Sequence, residues 1–207
     1  ASALLTEPTP DLAKFTDCMA HITNDRTRQE VSCAISRWAQ SHSPYTPTKP
    51  FPDHATVLAL FQYLVPDDQA LNRRFSRSSA WSAYANALLT EPTPDLAKFT
   101  GCMAHITNDR TRQEVSHTIS RWAFVFNRTK PLPDHATVLA LFQYLVPDDQ
   151  ALNPGFSKSS AWCLYVNALL AEPTPDLAKI NECVPHIKDE AMQRRIQKRI
   201  TGYTAKG

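Results

Sequence analysis

The chain has 207 residues, and its 22 lysines and arginines nearly balance its 20 aspartates and glutamates, which leaves a formal net charge of +2. This charge creates no field that would demand a polyanionic partner, so nucleic acid is permitted but not indicated. No apolar run approaches the roughly 18 residues of a membrane span, and no basic and then apolar start indicates a signal peptide.

The first predicted helix starts at Pro10. Proline is tolerated at the first helical position, Thr9 before it suits the cap position, and Asp11 favours the positive end of the helix. Apolar residues then recur at spacings of three and four: Leu12, Phe15, Met19 and Ile22. This period predicts an amphipathic helix.

The second predicted helix opens at Thr27 and Glu30, which have the spacing of a capping box. Its buried face is predicted to consist of Val31, Ala34, Ile35, Trp38 and Ala39. The opposite face carries polar residues and one thiol: Arg28, Gln29, Cys33, Arg37 and Gln40. The two segments together predict a helical hairpin with one apolar side.

A second hairpin begins at Pro52 and Asp53, where the nearly all-apolar run Val57–Val65 predicts a helix covered on several sides. Pro66 ends that helix, and the partner helix is predicted to follow directly. Its inner positions are Leu71, Phe75, Ser78, Trp81, Ala85, Leu88 and Leu89. The second helix of each of the first four hairpins carries one tryptophan, which we interpret as a core anchor: Trp38, Trp81, Trp122 and Trp162.

The chain repeats itself. Thr6–Ser32 recurs as Thr90–Ser116 with a single substitution. Glu7 and Glu91 are 84 positions apart, and Glu91 and Glu172 are 81 apart. Half of this period is about 42 residues, which is the length of two-helix HEAT and armadillo units.

These patterns predict an all-α fold, an α-solenoid of about five stacked HEAT-like or armadillo-like hairpins in one repeat domain over residues 1–207. The units are expected at about residues 6–46, 47–89, 90–130, 131–170 and 171–207. Because Ala3–Thr6 matches Ala87–Thr90 at the end of a helix, we expect the chain to be a fragment of a longer array.

Five cysteines without the spacing of a disulfide framework predict reduced thiols and a cytosolic setting. One cysteine and histidine pair recurs at the same repeat position: Cys18 with His21, Cys102 with His105, and Cys183 with His186. Each pair offers two ligands, whereas a structural zinc site needs about four. We therefore predict no metal and no cofactor, with the thiol in the core and the imidazole in a groove or on the surface.

Nucleophilic catalysis needs a nucleophile, a base and an orienting acid in one place. The candidates Ser36, Asp53 and His54 each occur in at least two copies, as expected of structural residues, and Asp53 lies at a helix start. The sequence contains no glycine-rich phosphate loop and no dinucleotide fingerprint. We predict that the chain is not an enzyme.

Differences between the copies mark a candidate binding surface. Positions 33, 37 and 40 share one stripe of a second helix, and two of the three differ in the next copy. The inner helices of HEAT-type solenoids line a concave side that binds partners. We therefore predict a protein partner contacted by Cys33, Arg37, Gln40, His117, Arg121 and Phe124. Drift after a recent duplication would explain the same differences.

Recurrent arginines offer an alternative. Three arginines return in the next copy: Arg26, Arg28 and Arg37 as Arg110, Arg112 and Arg121. Such a ladder would suit phosphate contacts in a nucleic-acid-binding protein. Pairing with nearby carboxylates is the more ordinary role, and the candidates are Asp25, Glu30, Asp109 and Glu114.

Ser36-Arg37-Trp38-Ala39 and Ser120-Arg121-Trp122-Ala123 resemble the repeats of the SKWP-type effectors that plant-pathogenic bacteria inject through a type III secretion system. The chain departs from the name motif, with arginine in place of lysine and alanine in place of proline. The repeats of that family are of similar length and HEAT-like. The resemblance implies a virulence protein that is secreted into the host cell and binds a protein there, and it brings no catalytic residues.

Overall fold

A computed structural model describes the chain over residues 1–7, 10–42, 51, 53–91, 94–124 and 132–204. Over these residues the structure is helical, with ten α-helices, short 3₁₀ turns and no strand. The predicted all-α class is confirmed. The Cα positions form two compact bodies, an N-terminal body (Ala1–Arg112) and a C-terminal body (Gln113–Gly207).

The N-terminal body contains five complete helices: α1 (Leu12–Ala20), α2 (Asp25–Ser41), α3 (His54–Phe61), α4 (Arg77–Leu88) and α5 (Leu96–His105). The helix α6 (Asp109–Phe124) starts in this body and continues into the next. The 3₁₀ turns of this body are Ser2–Thr6, Asp67–Gln69 and Arg73–Phe75. Residue 46, where the first predicted unit ends, lies outside the described residues, as does residue 130.

The C-terminal body contains four further helices: α7 (His135–Phe142), α8 (Lys158–Leu169), α9 (Leu177–Cys183) and α10 (Glu190–Thr204). Its 3₁₀ turns are Asp148–Gln150, Pro154–Phe156 and Val184–His186.

An aspartate caps the first helix of each copy. The Oδ1 atom of Asp11 accepts a hydrogen bond from the backbone N–H of Lys14 at 3.0 Å, which satisfies one of the open donors of α1. Asp95 caps α5 in the same way. The prediction that the helix starts at Pro10 is wrong, because α1 begins at Leu12. Thr9, its predicted cap, lies outside the described residues.

An asparagine caps the second helix. The side chain of Asn24 accepts from the N–H of Thr27 at 3.1 Å, and Asn108 accepts from Thr111 at 3.0 Å. The helix α2 therefore begins at Asp25. The capping box predicted at Thr27 and Glu30 is wrong. Asn24 is the capping residue, and Thr27 lies inside the first turn of the helix, where its N–H donates to the side chain of Asn24.

The interval between α3 and α4 holds 3₁₀ turns. The prediction that a helix follows Pro66 directly is wrong, and Leu71, which that prediction placed on an inner face, is 51% exposed. The carboxylate of Asp67 accepts from the backbone N–H of Ser78 at 2.8 Å and also accepts from its hydroxyl. Asp67 therefore fixes the start of α4 from a distance along the chain.

The helix α4 is enclosed by its neighbours. It packs against both α2 and α5, and nine of its twelve residues are buried. Small residues such as Ala80 and Ala85 are fully buried and let these helices approach closely. Trp38, Trp81 and Trp162 are at most 5% exposed, which confirms them as core anchors, whereas the fourth predicted anchor, Trp122, is only half-buried. Burial of a side chain of this size stabilises a fold by about 3 to 5 kcal/mol relative to alanine.

All five cysteines are free thiols. Cys102 and Cys183 are fully buried, and burial raises the pKa of both thiols to about 12. Within the described part of the chain, no helix has the length and apolar character that crossing a bilayer requires.

Candidate partner-binding surface

The residues predicted on α2 meet a turn from the following hairpin. The guanidinium carbon of Arg37 lies 4.8 Å from the ring centre of Phe75, and that of Arg74 lies 5.8 Å from the same ring. Both distances are typical of cation–π contacts. Arg37, Arg73 and Arg74 are exposed, whereas Phe75 is half-buried. We call Arg37, Arg73, Arg74 and Phe75 the arginine patch.

Gln40 holds this turn in place. Its Nε2 atom donates to the backbone carbonyl oxygen of Arg74 at 2.6 Å, and the buried hydroxyl of Ser36 donates to the carbonyl oxygen of Ser76 at 3.1 Å. Both bonds run from α2 to the turn before α4. Gln40 therefore positions the arginine patch, and the partner contact predicted for it stays a prediction.

Cys33 lies deeper than the sequence pattern indicated. The pattern placed it opposite the buried face of α2, but only 9% of the residue is exposed. Its thiol therefore offers a partner little surface.

The equivalent surface of the C-terminal body is aromatic. The ring of His117 lies 4.9 Å from the ring of Phe156, and the ring of Phe124 lies 6.0 Å from it. Phe124 is 46% exposed, and Arg121 is exposed on the same helix. Burial, followed by the charge of Arg121, lowers the pKa of His117, which favours a neutral imidazole. We call His117, Phe124 and Phe156 the aromatic patch.

Sequence reasoning missed Phe75 and Phe156 as surface residues, and it assigned Phe75 to an inner helical face. Both phenylalanines close a 3₁₀ turn and stand next to the predicted α2 and α6 residues. A usable signal was present, because the phenylalanine is kept in both copies while the two residues before it change from Arg73-Arg74 to Pro154-Gly155.

A separate cleft of about 420 Å³ lies beside the start of α4 and the end of α5. Its walls include Asp67, Asp68, Arg77 and His105. An Nη atom of Arg77 lies 3.2 Å from Nδ1 of His105, and the Nε atom of Arg77 is buried without a hydrogen-bond partner. The imidazole stacks on Trp81 with ring centres 4.3 Å apart.

The neutral form of His105 is favoured in this cleft. Burial and then the charge of Arg77 lower its pKa below the ordinary 6.5. His186 and Trp162 stack in the same way in the C-terminal body, with ring centres 4.4 Å apart. The imidazole predicted to lie in a groove or on the surface therefore packs on a core tryptophan and lines a cleft. In the described residues no group of three or more histidine, cysteine or acidic side chains is arranged to hold a metal ion.

Asp53 and His54, considered above as a catalytic pair, make structural contacts. Asp53 caps α3 by accepting from the N–H of Thr56 at 3.0 Å, and Nδ1 of His54 lies 3.0 Å from the hydroxyl oxygen of Tyr84. Tyr84 is 3% exposed, and burial raises the pKa of its phenol to about 12. The hydroxyl therefore stays protonated and out of reach of a substrate.

The arginines of the alternative ladder differ in their contacts. Arg26 pairs with Glu30 at 3.4 Å and Arg28 with Asp25 at 4.0 Å, as expected for solvated helix pairs. Arg37 instead stacks on Phe75.

Comparison with known proteins gave no match. No protein-family model matches the chain, and no curated protein and no solved structure is significantly similar to it. Function is therefore inferred from the residues of the chain.

Proposed function

We propose that the chain is a non-catalytic α-solenoid of about five stacked hairpins that binds a protein partner through its second helices. One observation carries the proposal. The contacts that join neighbouring hairpins recur in both copies, whereas the exposed side chains around Phe75 and Phe156 differ in kind. A surface that varies on a repeated frame is what a binding scaffold requires.

The first recurrent contact joins a second helix to the end of the next first helix. The hydroxyl oxygen of Ser32 accepts from the N–H of Val65 at 3.0 Å. Ser116 accepts from the N–H of Val146 at the same distance. The segment between these two residues is three residues shorter than the segment between Ser32 and Val65. The contact is therefore kept although the connecting segment differs in length.

The second recurrent contact joins successive second helices. The hydroxyl oxygen of Ser78 accepts from the N–H of Thr107 at 3.1 Å and from that of Asn108 at 3.3 Å. Ser159 does the same for the N–H of Lys188 at 2.8 Å. In addition, α4 packs on α2 and α10 packs on α8. Stacking of second helices on one another is the arrangement that an array of hairpins needs.

The setting follows from the resemblance to SKWP-type effectors. We place the array in a bacterial protein that is secreted into a host cell and binds a host protein in the reducing cytosol. The support is the motif at Ser36–Ala39 and Ser120–Ala123 and the half-period of about 42 residues.

The test is affinity capture from a eukaryotic lysate with and without nuclease, followed by identification of the bound protein and titration with the purified partner. A variant with alanine at Arg37, Gln40, Arg121 and Phe124 should lose the partner. A matched control replaces Gln62 and Gln143, which are exposed at the ends of α3 and α7, and should retain it. Retention of the partner by the four-alanine variant would contradict the assignment of the surface.

The arginines that recur in both copies support a second candidate, a phosphate or nucleic-acid binder. Its affinity would fall steeply with salt, because each neutralised phosphate releases counterions. Recovery of nucleic acid, or of proteins that disappear with nuclease, would support this candidate over the scaffold.

A further inference from the structure

The turn Arg73–Phe75 does not need its arginines. In the N-terminal body the Oδ1 atom of Asn72 accepts from the N–H of Arg74 at 2.9 Å. In the C-terminal body Asn153 accepts from Gly155 at 2.9 Å, and proline replaces the other arginine. The two asparagines have nearly the same backbone angles, −144° and 120° against −144° and 123°.

The same turn therefore forms with Arg-Arg-Phe and with Pro-Gly-Phe. Neither arginine side chain is required to build it.

The arginine patch is exposed and positively charged. Arg37, Arg73 and Arg74 are exposed, and among the described residues no carboxylate lies within ion-pair distance of them. The exposed arginines earlier on α2 do have carboxylate partners. The arginine patch thus concentrates positive charge in a chain that is nearly neutral as a whole.

The patch is also held in place. The guanidinium groups of Arg37 and Arg74 both contact the ring of Phe75, and Gln40 holds the backbone of Arg74 through a hydrogen bond. A guanidinium that contacts an aromatic ring with its face can still donate its N–H groups to both oxygens of a carboxylate. Restricting the side chain before binding reduces the entropy lost on binding.

We propose that the arginine patch binds an acidic segment of a protein partner, with side-chain carboxylates paired to Arg37, Arg73 and Arg74. This inference rests on the proposed function as a protein-binding scaffold. A carboxylate segment fits better than a nucleic acid, because a phosphate backbone presents charge at every step and calls for cations repeated along the array. Here the two turn arginines are replaced by Pro154 and Gly155 in the next copy.

The test uses fluorescence anisotropy with a short labelled peptide of alternating glutamate and serine. Its counterpart with glutamine in place of glutamate removes the charge, and an oligothymidylate of equal charge represents nucleic acid. The variant Arg73→Pro/Arg74→Gly copies the second turn, so its backbone is already compatible with the fold. The control Arg26→Gln/Arg28→Gln removes the same net charge from the first turn of α2, where both arginines have carboxylate partners.

We expect the intact chain to bind the glutamate peptide and not the glutamine peptide. The turn variant should weaken that binding by about tenfold, because charge-assisted hydrogen bonds to arginine are lost, and the control should change it by less than about twofold. Equal losses in the two variants would show that net charge alone attracts the peptide. Stronger binding of the oligothymidylate would show a phosphate site. Either result would overturn the inference.

The failure of this inference differs from the failure of the proposed function. Suppose that a captured protein partner stays bound to the turn variant but is lost from the four-alanine variant. The proposed protein-binding function would then be supported, and the proposal that the arginine patch binds an acidic segment would be wrong. If the glutamate peptide binds as expected but no protein is captured from lysate, the patch chemistry stands and the scaffold lacks its partner.

Discussion

The hydroxyl of Ser78 connects three segments of the N-terminal body, and its removal should weaken them together. Ser78 is fully buried. Its hydroxyl donates to a carboxylate oxygen of Asp67 and accepts from the N–H groups of Thr107 and Asn108. The substitution Ser78→Ala leaves two backbone N–H donors without their acceptor. It also removes one hydrogen bond to the carboxylate of Asp67.

The magnitude follows from the two lost acceptor bonds. A buried polar group left without a partner costs about 1 to 3 kcal/mol. Water can reach these N–H groups because Thr107 and Asn108 are exposed residues, so the lower part of that range applies to each. We expect Ser78→Ala to lower the free energy of unfolding by about 2 to 3 kcal/mol.

Two controls make the test specific. Ser79→Ala removes the neighbouring hydroxyl, which contacts only the turn before α4, at the hydroxyl oxygen of Ser76 (3.1 Å) and the carbonyl oxygen of Arg73 (3.3 Å). It should cost about 1 kcal/mol or less. Ser159→Ala removes the equivalent hydroxyl of the C-terminal body and should behave like Ser78→Ala.

The assay combines urea unfolding with amide hydrogen exchange, because a repeat array can open unit by unit. In Ser78→Ala the amide protons of Thr107 and Asn108 should exchange faster. The reasoning would be refuted if Ser78→Ala matched Ser79→Ala in stability and left both exchange rates unchanged.

Three further outcomes are expected. Gly101 lies within α5 with open space at its missing Cβ, so Gly101→Ala should raise the free energy of unfolding by about 1 kcal/mol in urea titrations. A loss of stability would show a contact at that position. Burial lowers the pKa of His105, so the folded chain takes up this proton less readily than the unfolded chain. The free energy of unfolding should therefore fall as the pH drops from about 7 to about 5, and less so in His105→Gln; equal slopes would contradict the assignment. Cys18 is half-buried, whereas Cys102, at the same repeat position, is fully buried with its pKa raised to about 12. A maleimide should modify Cys18 first, as peptide mapping would show, and the reverse order would be inconsistent with the structure.

The sequence predicted the helices better than their ends. The spacing of Leu12, Phe15 and Met19 is a property of the helix itself, so the period is sufficient to predict it. Helix ends depend on which nearby side chain wins a backbone donor. Asp11 and Asn24 win over the predicted alternatives because each reaches an N–H three residues ahead, a competition that propensity alone does not resolve.

The partner-binding surface stays a prediction. Gln40 and Phe124 were chosen because the copies differ there, and Arg37 and Arg121 because they share the same stripe. The structure places Arg37 against Phe75, bonds Gln40 to the backbone of Arg74, and places Phe124 against Phe156. The phenylalanines come from the following hairpin, more than thirty positions along the chain, so their proximity arises from packing between hairpins.

Sequence reasoning missed the contact between Phe75 and Arg37 because it predicted a helix directly after Pro66 and placed Phe75 on the inner face of that helix. In the structure the carboxylate of Asp67 accepts a hydrogen bond from the N–H of Ser78 and so fixes where α4 begins. Local periodicity does not predict a contact over this distance along the chain.

The duplication shows which side-chain contacts recur in both copies and which occur in only one. Nδ1 of His54 meets the hydroxyl of Tyr84, and Nδ1 of His135 meets that of Tyr165 at 3.1 Å, so this contact belongs to the frame. His135 also pairs with Glu182 at 3.1 Å, whereas the position equivalent to Glu182 in the other copy is a glycine.

The hairpin therefore forms with and without that ion pair. The same comparison shows that the turn before α4 forms with and without two arginines. Neither turn arginine is needed to form the turn, both are exposed, and within the described residues neither has a carboxylate partner. For that reason we propose the arginine patch, and not the cleft at His105, as the place to test for a partner.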